Sequence, residues 1–324
     1  MKYISAFAPY IIGLIEQKQA LGYKYVSELS ILRRFDAFCA ERHPGTSALS
    51  REVMLDWATR RPGEHPATLR GRITPAKELA RYMVRLGHDA FILPKGLTPR
   101  IPRYMPYIYS NDELKRIFAQ TDSCHYCSIV PYRHLIMPVF FRLLYCSGLR
   151  LSEARLLKVK DVDLLQGVIT VTNAKLDKHR QLPVSQELLE RLKLYHRDVH
   201  LTSFAEDWFF PGNNGKPMTM GNVEKNLRKF LWQADISHGG RGKGPRVHDF
   251  RHTMAVHCLR RWVLEEKDLR AYLPVLQAYL GHVSLSDTSY YLHLTADLFP
   301  NITEQVERTL GGIIPKIGVY DEAY

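Results

Sequence analysis

The sequence predicts a mainly α-helical chain built as two domains, an N-terminal helical bundle followed by a mixed α/β domain with a small β-sheet. Three observations carry this. At 324 residues the chain is long enough for two cores. Apolar residues recur at three- and four-residue steps along most of its length, while period-two alternation is confined to residues 159–184. Residues 93–110, LPKGLTPRIPRYMPYIYS, hold Pro94, Pro99, Pro102 and Pro106 with few helix signals, the texture of an extended linker. The expected division is a bundle over 1–95, a linker over 96–108, a second domain over 109–313 and a tail over 314–324.

Residues 1–20 have helical periodicity. Their apolar stretch lacks a small-residue cleavage site, so it reads as a first helix and not as a signal peptide. In residues 23–41, Leu29, Leu32, Phe35, Phe38 and Cys39 share one face, with Arg33 and Arg34 opposite. Ser50 is placed to cap a third helix, which PGEHP at 62–66 ends. Thr74-Pro75 is expected to open a fourth, running to Gly87. Arg60, Arg61, Arg70, Arg72, Lys77 and Arg81 then form either a phosphate-contacting stripe or a solvated helix face.

In the second domain, Ser110 and Glu113 have the spacing of a capping box. Helices are expected over 131–146, 186–198 and 220–234, and strands over 159–171 and 181–184 with the polar turn AKLDKHR between them. The glycine-rich, basic stretch SHGGRGKGPRV at 237–247 fits no nucleotide fingerprint. Its Arg241, Lys243 and Arg246 are candidate DNA contacts. Residues 301–312 form an amphipathic segment with Ile302, Val306 and Leu310 on one side, suited to docking either in cis or on a neighbouring copy.

Lysine and arginine number 45 against 33 acidic residues, a formal net charge of +12, which favours a polyanionic partner. Residues 1–100 carry 16 of those basic residues against 9 acidic ones, so the bundle holds more than its share. No apolar run reaches bilayer length. The five cysteines are odd in number and widely spaced. CHYC at 124–127 has no second pair to complete a four-thiolate zinc site, so a reducing cytoplasm is the expected compartment.

Four segments concentrate polar groups. In SGLRLSE, Arg150 follows a helix-ending glycine, and Glu153 lies three residues on. This is either an arginine oriented for bidentate phosphate contact or a structural ion pair. In the hairpin turn, Lys175 and Lys178 are candidates to protonate an alkoxide leaving group. In HDFRH, His248 and Arg251 share a helix face. In LGHVSLSDTSYYLHL, Gly281 ends a helix, His282 follows, and Ser286 is expected to cap a helix over 287–295. Adjacent helical residues differ by about 100°, so Tyr290 and Tyr291 cannot face the same way. Two arginines can hold one phosphodiester and a tyrosine can attack it. No carboxylate cluster is evident to hold two metals.

These four segments resemble the boxes of the tyrosine recombinase, or phage integrase, family, as in Xer-like and mobile-element integrases. The resemblance covers about 107–308, and more loosely the N-terminal region, which is similar to the family's SAM-like core-binding domain. It implies catalytic roles for Arg150, Lys175, His248, Arg251, His282 and Tyr291, with Glu153 supporting Arg150. The nucleophile lies nine residues beyond His282, which selects Tyr291 and leaves Tyr290 to pack the helix. Between Arg251 and His282 the chain is longer than in compact Xer-like members, with an acidic patch at Glu265, Glu266 and Asp268.

The resemblance implies a site-specific recombinase that cleaves and rejoins duplex DNA through a 3′-phosphotyrosyl ester, without metal or cofactor. The expected outcome is integration, excision or transposition of a mobile element. Expected partners are double-stranded DNA, three further copies on two paired sites, and an accessory DNA-bending or recombinase protein; no membrane is involved, and the expected location is the nucleoid. A type IB topoisomerase or telomere resolvase would share the chemistry, and an architectural DNA-binding protein would share the fold.

Overall fold

The computed structural model describes residues 3–97, 104–172, 179–240 and 244–295. They divide into two compact units, Met1–Tyr104 and Met105–Tyr324.

The first unit is four helices: α1 (Ala8–Ala20), α2 (Val26–Arg42), α3 (Arg51–Ala58) and α4 (Pro66–Arg85). Phe7, Leu14, Leu32, Phe35, Trp57 and Leu79 are among the side chains closed into its core. Ser50 caps α3 by accepting from the Val53 amide at 3.3 Å. The fourth helix does not start at residue 74. It starts at Pro66, where the missing N–H is one that a first helical turn leaves unpaired anyway, and His65 accepts the Ala67 amide at 3.2 Å. Pro75 lies inside it. The bond lost there is to Gly71, whose bare α-carbon crowds the proline ring least.

Arg72 does not stand on a DNA-facing stripe. It is 4% exposed. Its guanidinium binds both Glu64 oxygens, at 3.0 and 2.9 Å, and the carbonyls of Trp57 and Thr59. It also lies 4.9 Å from the Trp57 ring, whose indole donates to the Arg72 carbonyl at 3.1 Å. The Arg72 bonds hold the Glu64 carboxyl below its usual range. Helical phase turned residue 72 inward, and a buried arginine needs such a partner set. Arg60, Arg61 and Arg70 are exposed, and Lys77 and Arg81 half-buried.

The second unit comprises α5 (Asn111–Asp122), α6 (Arg133–Ser147), α7 (Leu151–Ala154), strands β1 (Val162–Asp163), β2 (Val168–Val171) and β3 (Arg180–Pro183), then α8 (Gln186–Val199), α9 (Met220–Gln233), α10 (Asp249–Leu264), α11 (Leu269–Leu280) and α12 (Leu285–Ser289). The apolar helix α6 packs against α5, α8 and α10. Phe140, Phe141, Phe210, Phe230 and Phe250 fill the space around it. Ser110 and Glu113 close the capping box at the start of α5.

The strands form one antiparallel sheet in the order β1-β2-β3, with Val162 opposite Ile169 and Thr170 opposite Gln181. The stretch 159–171 is therefore not a single strand. It begins as a 3-10 turn at Val159–Asp161 and then folds back on itself. Asp163 accepts the Leu165 and Gln166 amides, each at 2.9 Å, and Gly167 turns at φ 65°. The extra length between Arg251 and His282 is helical, completing α10 and supplying α11. No helix among the described residues is long and apolar enough to cross a membrane.

Candidate active site

Two helix ends build the frame. Helix α6 stops at Gly148 (φ 58°) and α11 at Gly281 (φ 67°), both left-handed turns that glycine adopts at little cost. Each end leaves carbonyls without helical partners. Arg251 donates to the Gly148 carbonyl at 2.6 Å and to the Leu280 carbonyl at 2.7 Å. Arg150 donates to the Gly281 carbonyl at 3.1 Å. The two arginines thus tie the two helix ends together, and each keeps N–H groups for another ligand.

Glu153 organises the Arg150 side. It accepts from the Arg150 amide and guanidinium, both at 2.8 Å, and from Arg180 at 3.1 and 2.7 Å. Its side chain is 5% exposed. Burial alone would raise this carboxyl; the bonds from Arg180 and Arg150 overcome that and hold it at about 2. Arg180 enters from β3 and also donates to the Tyr279 carbonyl at 3.3 Å. The alternatives left open for Arg150 and Glu153 are therefore compatible: an ion pair that also fixes a guanidinium at a cleft. Arg150 keeps 38% of its side chain exposed, whereas Arg251 is 1% exposed. Burial, then the neighbouring Arg150 charge, draws Arg251 down to about 10.

His248 stands at the entrance to α10, open on one side and crowded on the other. Desolvation on the crowded side, then Arg251, Arg150 and Arg246, draw it down to about 4. His282, just past Gly281, shares a hydrogen bond with the buried Thr288 hydroxyl at 2.8 Å. Burial, Arg251 and Arg150 likewise draw it to about 4. Both imidazoles are neutral at pH 7, as a crowd of two arginines requires.

The tyrosine pair arrives on a different backbone from the one expected. Ser284, not Ser286, caps α12, and the helix ends at Ser289. Tyr290–Leu294 is a 3-10 turn. In this tighter turn Tyr291, at 2% exposed, points inward, while Tyr290 is half-buried at the edge of the same cluster. Tyr290 thus packs against the cluster as expected, while Tyr291 is the more deeply buried of the two. Tyr291 packs with Ala255, Val256, Leu259, Leu276 and Leu280 while its hydroxyl reaches the polar cluster. That hydroxyl lies 3.0 Å from His252 Nδ1, and its ring is 6.1 Å from the His282 ring. Burial raises the Tyr291 phenol, opposed by the nearby charges of Arg251 and Arg150.

The structure thus brings Arg150, Glu153, His248, Arg251, His282 and Tyr291 together, with Arg246 nearby. Lys175, Lys178, Arg241, Lys243 and the 301–312 segment lie outside the described residues. Arg180, His252 and Thr288 join the site without having been singled out. Arg180 is the last residue of AKLDKHR and His252 the last of HDFRH. Among the described residues all five cysteines are free thiols.

A polar cluster of two tied arginines, neutral histidines and one buried tyrosine thus lies in a helical unit with a small sheet. The model of the phage integrase family matches residues 109–297. The integrase/recombinase y4rB, so named in Sinorhizobium fredii, is 31% identical over 313 residues, covering 94% of this chain and 98% of that protein. Tyrosine recombinase XerA of Pyrococcus furiosus is 31% identical over 212 residues, 65% of this chain and 64% of that one. Among solved structures, XerH site-specific recombinase in a post-cleavage complex with palindromic difH substrate aligns at TM-score 0.61 and 19% identity, over 87% of this chain and 78% of that chain. The Tn1549 transposon integrase with circular intermediate DNA aligns at TM-score 0.62 and 16% identity, over 87% and 94%; these two show likeness of fold. The chain belongs to the phage integrase family. It is a site-specific tyrosine recombinase, acting on DNA through a catalytic tyrosine.

Proposed function

We propose that Tyr291 is the nucleophile, attacking a scissile phosphodiester to give a 3′-phosphotyrosyl ester and a free 5′-hydroxyl. The observation that carries this reading is the Tyr291 hydroxyl, in a cluster with Arg251, His252 and His282. Arg150 and Arg251 hold the non-bridging oxygens and stabilise the added charge in the transition state. Glu153 positions Arg150. His248 and His282 hydrogen-bond the phosphate, and Lys175 protonates the leaving 5′-oxygen. A 5′-hydroxyl from a second strand then attacks the ester, so bond energy is retained and neither a metal nor a cofactor is consumed.

Arg60, Arg61, Arg70, Lys77 and Arg81 contact phosphates from the N-terminal unit, and Arg241, Lys243 and Arg246 from the basic stretch of sequence before α10. Four copies on two paired sites perform the exchange, and its product is integration, excision or transposition of a mobile element. The test is incubation with nicked suicide duplexes taken from the DNA flanking the gene, read as a covalent protein–DNA adduct. The adduct is expected to vanish in Y291F and persist in Y290F. An adduct that survives Y291F removes Tyr291 from the reaction.

A further inference from the structure

His252 is a candidate for a further role in the reaction. It lies one residue beyond Arg251 on α10, and its Nδ1 is 3.0 Å from the Tyr291 hydroxyl, a full hydrogen bond. The ring of His252 meets the Tyr291 ring at 5.6 Å and the His248 ring edge-on at 4.7 Å. His252 is thus the histidine that meets the Tyr291 hydroxyl, with His248 as its neighbour at the start of α10. We propose that His252 is the proton acceptor of the nucleophile, its Nδ1 taking the proton from Tyr291 as the tyrosyl oxygen bonds to phosphorus. This rests on Tyr291 being the nucleophile.

The step balances. The Tyr291 O–H bond breaks and its proton goes to Nδ1, giving an imidazolium. The O–P bond forms, the bond from phosphorus to the 5′-oxygen breaks, and that oxygen receives its proton from the acid on the opposite side. In the return step the imidazolium hands the proton back to the tyrosyl oxygen. Only a neutral imidazole can do this, and the surroundings keep His252 neutral. Desolvation, then His248, Arg251 and Arg246 at the start of α10 and His282 from the end of α11, draw it down to about 3. In the tautomer this role requires, the His252 proton is on Nε2, Nδ1 accepts from the Tyr291 hydroxyl, and Tyr291 keeps its proton in the free protein. A phosphodiester anion seated on Arg251 offsets that guanidinium's charge and makes His252 more basic, so the acceptor gains strength when substrate is bound.

The test is single-turnover cleavage from pH 5 to 10, using a nicked suicide duplex that gives an adduct with the native protein. H252A and H252N are compared; the asparagine oxygen can occupy the Nδ1 position and accept the hydrogen bond but takes no proton. Both variants are expected to lose about 10²–10⁴-fold in cleavage rate at pH 7, with DNA affinity and melting temperature near native. Native cleavage is expected to rise with pH and then level off, whereas the variants rise in proportion to hydroxide and narrow the gap at high pH. Native-like cleavage by H252N, or slow variants that keep the native plateau, overturns the proposal and leaves His252 as an orienting group. Y291F separates the two readings. An adduct that survives it removes the nucleophile, whereas loss in Y291F with full activity in H252N removes the proton acceptor alone.

Discussion

Replacing Glu153 with glutamine removes the carboxylate that Arg150 and Arg180 share. A carboxyl held at about 2 instead of 4.5 is worth about 3 kcal/mol of folding free energy at neutral pH. Glutamine keeps one acceptor oxygen and most of the volume, but leaves Arg180, 12% exposed, beside a neutral group. The expected loss is therefore about 2–3 kcal/mol, a fall of roughly 4–12 °C in the melting temperature of a unit this size. The folded value lies below the unfolded one, so the stabilisation is fully present above pH 4.5 and disappears as pH falls toward 2. Calorimetry on native protein and E153Q at pH 7 and at pH 3 measures it. The difference should shrink to about half or less by pH 3. A melting temperature within about 2 °C of native at pH 7, or a gap that does not close in acid, refutes the account.

Gly281→Ala should produce a related loss, because the new methyl would lie 2.8 Å from an Arg180 nitrogen at a backbone φ of 67°; a native melting temperature would contradict this. Arg72→Ala should destabilise the N-terminal unit by about 3–5 kcal/mol by stranding Glu64, read by denaturant titration, and Arg72→Lys should not restore it. By contrast, Arg60→Ala and Arg70→Ala should leave stability within about 0.5 kcal/mol. Each should lower the slope of log DNA affinity against log salt by about 0.9, and an unchanged slope removes that residue from the phosphate contacts. Arg150→Ala should slow cleavage by about 10²–10³-fold at saturating DNA; a variant that loses affinity alone would make Arg150 a binding group only.

Local features were legible in the sequence wherever a short-range rule sets them. Ser50 and the Ser110–Glu113 box cap their helices as read, because a cap is a bond between near neighbours. Gly148 and Gly281 stop their helices as read, because a left-handed turn favours glycine. The readings that changed depend on more than neighbours. The start of α4 at Pro66 overrode a proline at position 75. The turn at Asp163 and Gly167 divided one strand into two. The helix expected over 287–295 instead ends at Ser289, and a short 3-10 segment carries both tyrosines.

The sequence by itself determined the family, the two units and the residue types at the site, since box spacing and helical periodicity are properties of the chain. Only the tertiary structure decided which groups touch. Arg251 meets the Gly148 carbonyl across 103 residues, Arg150 the Gly281 carbonyl across 131, and Tyr291 meets His252 across 39. Spacing along the chain carries no information about such pairs. The packing of α6 and α11 on α10 does, because it brings the ends of α6 and α11, with their unpaired carbonyls, to the same point and leaves the arginines, histidines and tyrosine to satisfy one another there.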